Sequence, residues 1–442
     1  MANCNQTSFE FPGLKTGKYS RKIDVRFSGG EVTSDGGVLL LREADRKVGL
    51  TKDLVGCLND PRNPLYVVHD SLGLLRQRIY NIALGYEDLN DQQTLRNDTL
   101  IQSACEKDST LASPPTLCRF EARAERETAV LFHQVLVEKF ITSFKTPPKE
   151  LILDFDPTDD TVYGKQEGRF FHGYYGDYCF LPLYVFCGEQ LLVSYLRPSN
   201  IDGAKHAWAI LSLLTKRLRL KFPDVKITIR ADSGFCRHRM LTWCEKNNVS
   251  YIVGVAGNSR LEGQTKQLIE QAKEQFKTTS IKQKLFSEIQ YGAKTWSKER
   301  RIIVKAEHTD LGANTRFVVT NLEGNPQALY DDLYCARGDM ENRIKEQQLD
   351  LFADRTSCHK WWSNQFRLLL SSCAYVLMEA IRRIGLKGTE FAKAQCGTIR
   401  LKLFKIGAVV IRNTRRIKLL LSSHYPYQKL FLQVARSLSG PD

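Results

Sequence analysis

Three acids in three separate segments carry the side chains best suited to chemistry: Asp156 in LILDFDPT, Asp232 in KITIRADSGF and Glu341 in YCARGDMENRIKEQQ. The first two close apolar runs. In LILDFD, strand alternation turns Leu151, Leu153 and Phe155 one way and Ile152, Asp154 and Asp156 the other. An acid at the end of an apolar strand costs desolvation unless a cation pairs with it, and that cation is either a metal ion or a salt-bridging side chain. Asp232 repeats the pattern and runs into Ser-Gly, a turn of the kind found at the active edge of an α/β sheet. Glu341 belongs to a stripe. With 331–352 read as a helix, about 100° per residue places Tyr334, Arg337, Glu341, Lys345 and Gln348 within an arc of roughly 80°. The plain alternative is a solvated face on which Glu341 and Lys345 form an i, i+4 pair worth about 0.3–0.5 kcal/mol. Three carboxylates suffice for two Mg²⁺ ions about 3.5–4 Å apart, which activate an attacking oxygen and stabilise a leaving one in phosphoryl transfer. Tyr334, Arg337 and Lys345 would then hold DNA phosphates beside the cut.

Such side chains need a scaffold. LILDFD (151–156), FLPLYVFC (180–187) and QLLVSYLR (190–197) read as strands, and 203–222 as an amphipathic helix with Ala207, Ile210, Leu211, Leu214 and Leu218 on one face. VKITIRAD (225–232) is a fourth strand, 237–248 a helix and SYIVGVA a fifth strand. Three strands, helix, strand, helix, strand predicts an α/β fold, a mixed sheet with helices on its faces, in the order of a ribonuclease-H-like core. In that order the first and fourth strands are neighbours, and Asp156 and Asp232 share one end.

Around this core the chain divides by texture. Residues 1 to about 20 are polar and expected to be loose, and 1–147 as a whole reads as a mainly helical N-terminal accessory or DNA-binding domain. KTPPKE marks its end. Residues 148–256 and 331–385 form the predicted core, 257–330 a β-rich insertion, and 386–442 a basic C-terminal region. There, IGAVVIRNTRRIKLLLSS predicts a β-hairpin with Arg412, Arg415, Arg416 and Lys418 near its turn, a candidate DNA-binding feature.

The bulk properties narrow the partners. Sixty-four Lys and Arg against 49 Asp and Glu leave a net charge of +15, which favours a polyanion: nucleic acid or an acidic membrane surface. No apolar run approaches the roughly 20 residues of a membrane span, and the N-terminus lacks a secretory signal, so a cytoplasmic, nucleoid-contacting location is expected. The 12 cysteines include no C-x-x-C pair. Their spacings, with Cys179/Cys187 and Cys236/Cys244 nearest, do not match zinc modules, which leaves free thiols in a reducing compartment.

Several stretches together resemble a known family: FSGGEVTSDGGVLLLREADRKVGL, RQRIYNIALGYEDLNDQQTLRND, LDFDPTDDTVYGKQEGRFFHGYYGDYCFLPLYVF, RADSGFC and YCARGDMENRIKEQQLDL. The chain is similar to DDE transposases of bacterial insertion sequences, specifically insertion-sequence family 1380. The resemblance implies Asp156, Asp232 and Glu341 as catalytic, metal-binding acids. Asp154 competes for the first place, and Thr158 close behind Asp156 favours the latter. The wider group's glutamate helix reads Tyr, two residues, Arg, three residues, Glu, six residues, Lys. Tyr334, Arg337 and Glu341 match in register, Gln348 replaces the final Lys, and Lys345 lies one turn earlier on the same face. A Trp in the relatives' insertion holds a flipped base. Trp296 is the matching residue, with ordinary packing as its alternative.

The resemblance implies cut-and-paste transposition: Mg²⁺-dependent cleavage at transposon ends, with Mn²⁺ able to substitute, then attack of the freed 3′-hydroxyl on target DNA. Expected partners are double-stranded terminal inverted repeats, target DNA and a second copy of the chain. The rivals are a related metal-dependent nuclease and a catalytically inactive transposase-derived DNA-binding protein. A recombinase using Tyr334 as nucleophile would instead leave a protein–DNA adduct.

Overall fold

The computed structural model describes residues 8–16 and 19–440. Of the loose start expected over residues 1 to about 20, residues 1–7 and 17–18 lie outside the described residues, whereas Ser8–Thr16 and Tyr19–Arg26 pair as an antiparallel hairpin. The chain forms two compact units. One comprises Val48–Pro61 and Arg119–Glu379, the other Met1–Lys47, Arg62–Cys118 and Ala380–Asp442. This division differs from a linear partition, because the 386–442 segment joins a unit with the chain's start.

The larger unit is built on an eight-stranded sheet. Its strands are β1 (Glu150–Pro157), β2 (Leu183–Cys187), β3 (Gln190–Tyr195), β4 (Lys226–Ala231), β5 (Ser250–Val255), β6 (Gln283–Tyr291), β7 (Arg300–Thr309) and β8 (Gly312–Thr320). They lie in the order β6-β7-β8-β5-β4-β1-β2-β3. β1, β4 and β5 run parallel, and β2 is antiparallel to both β1 and β3. The first five strands thus have the order and directions of a ribonuclease-H-like core. β6–β8 do not form a sheet of their own. β8 pairs antiparallel with β5, Ile252 opposite Thr320, so the insertion extends the central sheet and covers an edge that β5 would otherwise expose.

Helices close both faces of the core. Leu151, Leu153 and Phe155 of β1 pack with Ile227 and Ile229 of β4 against Leu211, Leu214 and Leu218 of α2 (Ala207–Lys221) and Met240 and Leu241 of α3 (His238–Lys246). The same cluster takes Val137, Phe140 and Ile141 of α1 (Arg126–Thr142). This is the apolar side predicted from alternation in LILDFD. On the other face, α5 (Gly338–Leu351) and α6 (Trp361–Ala380) cover the strands, with Tyr375 edge-on to Phe186 at 5.7 Å. A further helix, α4 (Lys266–Thr279), precedes β6.

In the smaller unit, Gly36 and Gly37 are not simply turn residues. Their backbone N–H groups donate to the carbonyls of Ile406 (2.9 Å) and Phe404 (3.1 Å), and a Cβ on Gly37 would lie 1.8 Å from Leu403 O, so no side chain fits. Val32–Thr33 pairs with the first strand of the predicted C-terminal hairpin, Ala408–Asn413, whose other strand is Arg416–Leu421.

Candidate active site

The register of β1 and β4 sets the first two acids side by side. Asp154 lies opposite Arg230 and Phe155 opposite Ala231, and the next residue on each chain is Asp156 and Asp232. Asp154 is already satisfied: Arg230 grips it with Nε–Oδ1 at 2.5 Å and Nη2–Oδ2 at 2.8 Å, while its Nη1 donates to Leu333 O at 2.6 Å. A buried carboxylate paired in this fork is a structural ion pair. Asp232 directly follows β4 and caps the short Ser233–Phe235 turn, accepting from Gly234 N at 2.9 Å.

Glu341 comes from a segment less regular than a single helix. Leu329–Tyr334 makes a π-turn and Cys335–Arg337 a tight 3₁₀ turn before α5 begins at Gly338. Irregular turns of this kind re-aim side chains and occur frequently at functional sites. Arg337 reaches both neighbours, with Nη2 2.6 Å from Glu341 Oε1 and Nη1 3.5 Å from Asp156 Oδ2. Burial pushes the Asp156 carboxyl up to about 7. Arg337 opposes the shift, and the charges of Asp232, Glu341 and Asp154 add to it. Burial also raises the Tyr334 phenol, with Arg337 opposing and Asp232 adding.

An all-oxygen set of three carboxylates suits a hard divalent cation, and the mutual repulsion felt at Asp156 is the electrostatic deficit that such an ion would fill. Among the described residues no three His, Cys, Asp or Glu groups stand close enough to cage one. Arg337 supplies the positive charge between Asp156 and Glu341 instead.

Other predicted residues fall in different places. Lys345 is exposed on α5. Gln348 turns back to the loop after β1, its Nε2 donating to Thr158 Oγ1 (3.3 Å), Asp159 O (3.1 Å) and Asp160 Oδ1 (3.2 Å). Trp296 stands edge-on to Tyr291 at 5.8 Å with the Arg300 guanidinium 5.0 Å above its ring, packed against the main core. Arg300 also binds Glu245 at the end of α3, and its neighbour Arg301 pairs with Thr320, itself opposite Ile252 near the start of β5. Trp296 is therefore at the sheet end opposite Asp156 and Asp232. Arg412, Arg415, Arg416 and Lys418 are exposed on the hairpin of the other unit.

One site residue is missing from the sequence reading. Gly254 of β5 leaves no room for a Cβ, which would sit 2.7 Å from Tyr334 Oη and 2.9 Å from Ser233 N. The signal was present as a glycine inside the apolar run SYIVGVA, which often marks a close backbone approach.

The frame is thus an α/β sheet with carboxylates and an arginine at the carboxyl ends of parallel strands, where open α/β sheets bind their ligands. A family model described as transposase DDE domain, group 1, matches residues 15–440, and the chain belongs to that family. The structure is similar to the cryo-EM structure of the piggyBac transposase synaptic complex with hairpin DNA, with a TM-score of 0.45 and 10% sequence identity over 92% of this chain and 83% of that one. No curated protein sequence matches. Among the described residues no helix is long and apolar enough to cross a membrane.

Proposed function

We propose that this transposase-family chain cuts DNA at the ends of a mobile element and joins the freed 3′-hydroxyls to target DNA, with Asp156, Asp232 and Glu341 as its catalytic acids. The reading is supported above all by one guanidinium, that of Arg337, lying within reach of both Asp156 and Glu341 while Asp232 occupies the neighbouring strand end. Divalent ions, Mg²⁺ or Mn²⁺, held by the three acids would supply Lewis-acid activation of the attacking and leaving oxygens. The protein's own part is to set Asp156 and Asp232 at adjoining strand ends with Glu341 across Arg337, and for Arg337 to transfer its grip from Glu341 to a DNA phosphate as substrate enters. Lys345, exposed one turn beyond Glu341, suits the same phosphate-holding task. The family and the net charge of +15 support a substrate class of double-stranded terminal repeats and target DNA, which we propose are held by two copies of the chain beside the bacterial nucleoid. The quoted motifs favour insertion-sequence family 1380 within the broader group.

Asp232→Asn tests the reading, because an amide oxygen still accepts from Gly234 N and keeps the turn. Mg²⁺-dependent cleavage of a duplex bearing the element's end is expected to fall to background with DNA affinity retained, and undiminished cleavage would refute the assignment. Pre-cut ends offered with target DNA should be joined. Ends released and never joined would mark a nuclease instead.

A further inference from the structure

Between Asp156 and β2 the chain makes a small sheet of its own. Asp160–Thr161 pairs with Asp177–Phe180, which pairs with Phe170–His172. Large rings are mostly buried in folded proteins, yet here Tyr163, Phe171 and Tyr174 are 93%, 57% and 85% exposed, and Phe170 and Tyr178 are exposed as well. A cluster of this kind marks an interaction site. The rings are ordered by one another: Tyr178 stands edge-on to Phe171 at 5.6 Å, with the Arg169 guanidinium 4.4 Å over its face, and Tyr174 stands edge-on to Tyr175 at 5.0 Å. The hairpin is also anchored, with Phe180 edge-on to Trp361 at 5.2 Å and Ser199 Oγ donating to Phe170 O at 2.8 Å.

Its position is at the acids. The first strand of this sheet begins four residues after Asp156, and Tyr175 at the hairpin tip lies near enough to feel the charges of Asp159 and Asp156. Burial, with those charges adding to it, pushes its phenol up to about 12. The composition narrows the occupant. From Tyr163 to Phe180 there is no Leu, Ile, Val or Met, and Lys165 and Arg169 are balanced by Glu167 and Asp177. The surface therefore offers flat π-faces without the net charge of a phosphate track.

The geometry points to the hairpin bearing Phe171 and Tyr174 as a stacking platform for unpaired nucleobases beside the cut, an inference that rests on the DNA-cutting function proposed above. Stacking is tolerant of base identity, because every base has a π-face.

The test uses the full chain, a fluorescein-labelled mixed-sequence single strand of about 20 nucleotides, a length that spans known single-strand site sizes, and the matched duplex. Phe171→Ala with Tyr174→Ala should weaken single-strand binding about ten- to a hundred-fold while leaving duplex binding within about two-fold. Tyr174→Phe, which keeps the ring, should bind as wild type. The affinity lost should change little with salt, since no phosphate contact is removed. Both alanine positions are exposed, and an unchanged Tm verifies folding. Single-strand affinity untouched by the alanine pair, or a parallel fall for duplex and single strand, overturns the platform. A failed platform with Asp232-dependent cleavage intact leaves the transposase reading standing. Loss of that dependence removes the reading itself.

Discussion

Gly254 gives the sharpest test of how the site is assembled. In Gly254→Ala the new methyl would meet Ser233 N at 2.9 Å and Tyr334 Oη at 2.7 Å. Restoring a contact of about 3.4 Å requires the Ser233 backbone to retreat by roughly 0.5 Å, near the lower edge of favourable carbon packing. Overpacking of this kind costs about 1–3 kcal/mol, which for a unit of this size lowers Tm by roughly 3–10 °C. The catalytic penalty should be separate and larger in effect. Asp232 is covalently next to Ser233, so its carboxylate moves with the turn. Since a misplacement of about 1 Å can cost a hundred-fold, half of that predicts about a ten-fold loss of cleavage by protein that is still folded. Tyr334→Phe removes the hydroxyl on the other side of the methyl. The double variant should therefore recover part of the Tm loss, with a coupling of about 0.5–3 kcal/mol in a double-mutant cycle. The assays are thermal unfolding and metal-dependent cleavage on the same preparations. A Gly254→Ala protein as stable and active as wild type, or a double variant showing no coupling, would refute the close approach.

The two aspartates of β1 should behave oppositely. Asp154→Asn strands the buried Arg230 and should cost about 3–5 kcal/mol, seen as a lowered Tm. Asp156→Asn relieves a carboxyl that burial pushes up to about 7. Above its unfolded value of about 3.8 that ionisation weakens folding increasingly until pH passes about 7, so without metal the Asn variant should equal or exceed wild-type Tm at neutral pH while losing cleavage. A third expectation concerns acid. His133 on α1 is held against Ala129 O (2.7 Å) and the backbone of Ser194 on β3 (3.1 Å), and burial lowers its pKa from the usual 6.5. The folded state thus resists protonating it. Its contribution is complete above about pH 6.5 and is lost as pH falls, so His133→Gln should flatten the decline in Tm between about pH 6.5 and 5. An unchanged slope would exclude His133 as the cause.

The parts of the site that depend on local pattern were readable in advance. Alternation in LILDFD gave the correct apolar face of β1, and β-branched KITIRA and SYIVGVA gave the parallel neighbours whose register aligns Asp156 with Asp232. The Tyr334–Arg337–Glu341 spacing predicted a shared stripe, and the Arg337–Glu341 contact agrees with it. What escaped depended on distant residues. Nothing local to LILDFD says that Arg230, 76 residues on, would claim Asp154. The π-turn at 329–334 is invisible to a fixed 100° per residue, and nothing in the stripe says that Arg337 would also reach Asp156 on β1. Trp296 was read by analogy of position, but strand pairing through β8 carries it to the end of the sheet away from the acids. The fate of Gln348, bonded to the loop after β1, likewise depended on packing that no periodicity encodes.

The pairing of Val32 with Val409 has a consequence for biosynthesis. The smaller unit draws its pieces from Met1–Lys47, Arg62–Cys118 and Ala380–Asp442, so the first two emerge long before the third. At about 5–20 residues per second, roughly 15–65 s of translation separate them. Throughout that interval Gly36 and Gly37 lack the backbone of residues 403–408 that will close over them, and this open segment is a natural target for chaperones. A nonsense mutation between residues 118 and 380 would leave that target permanently open.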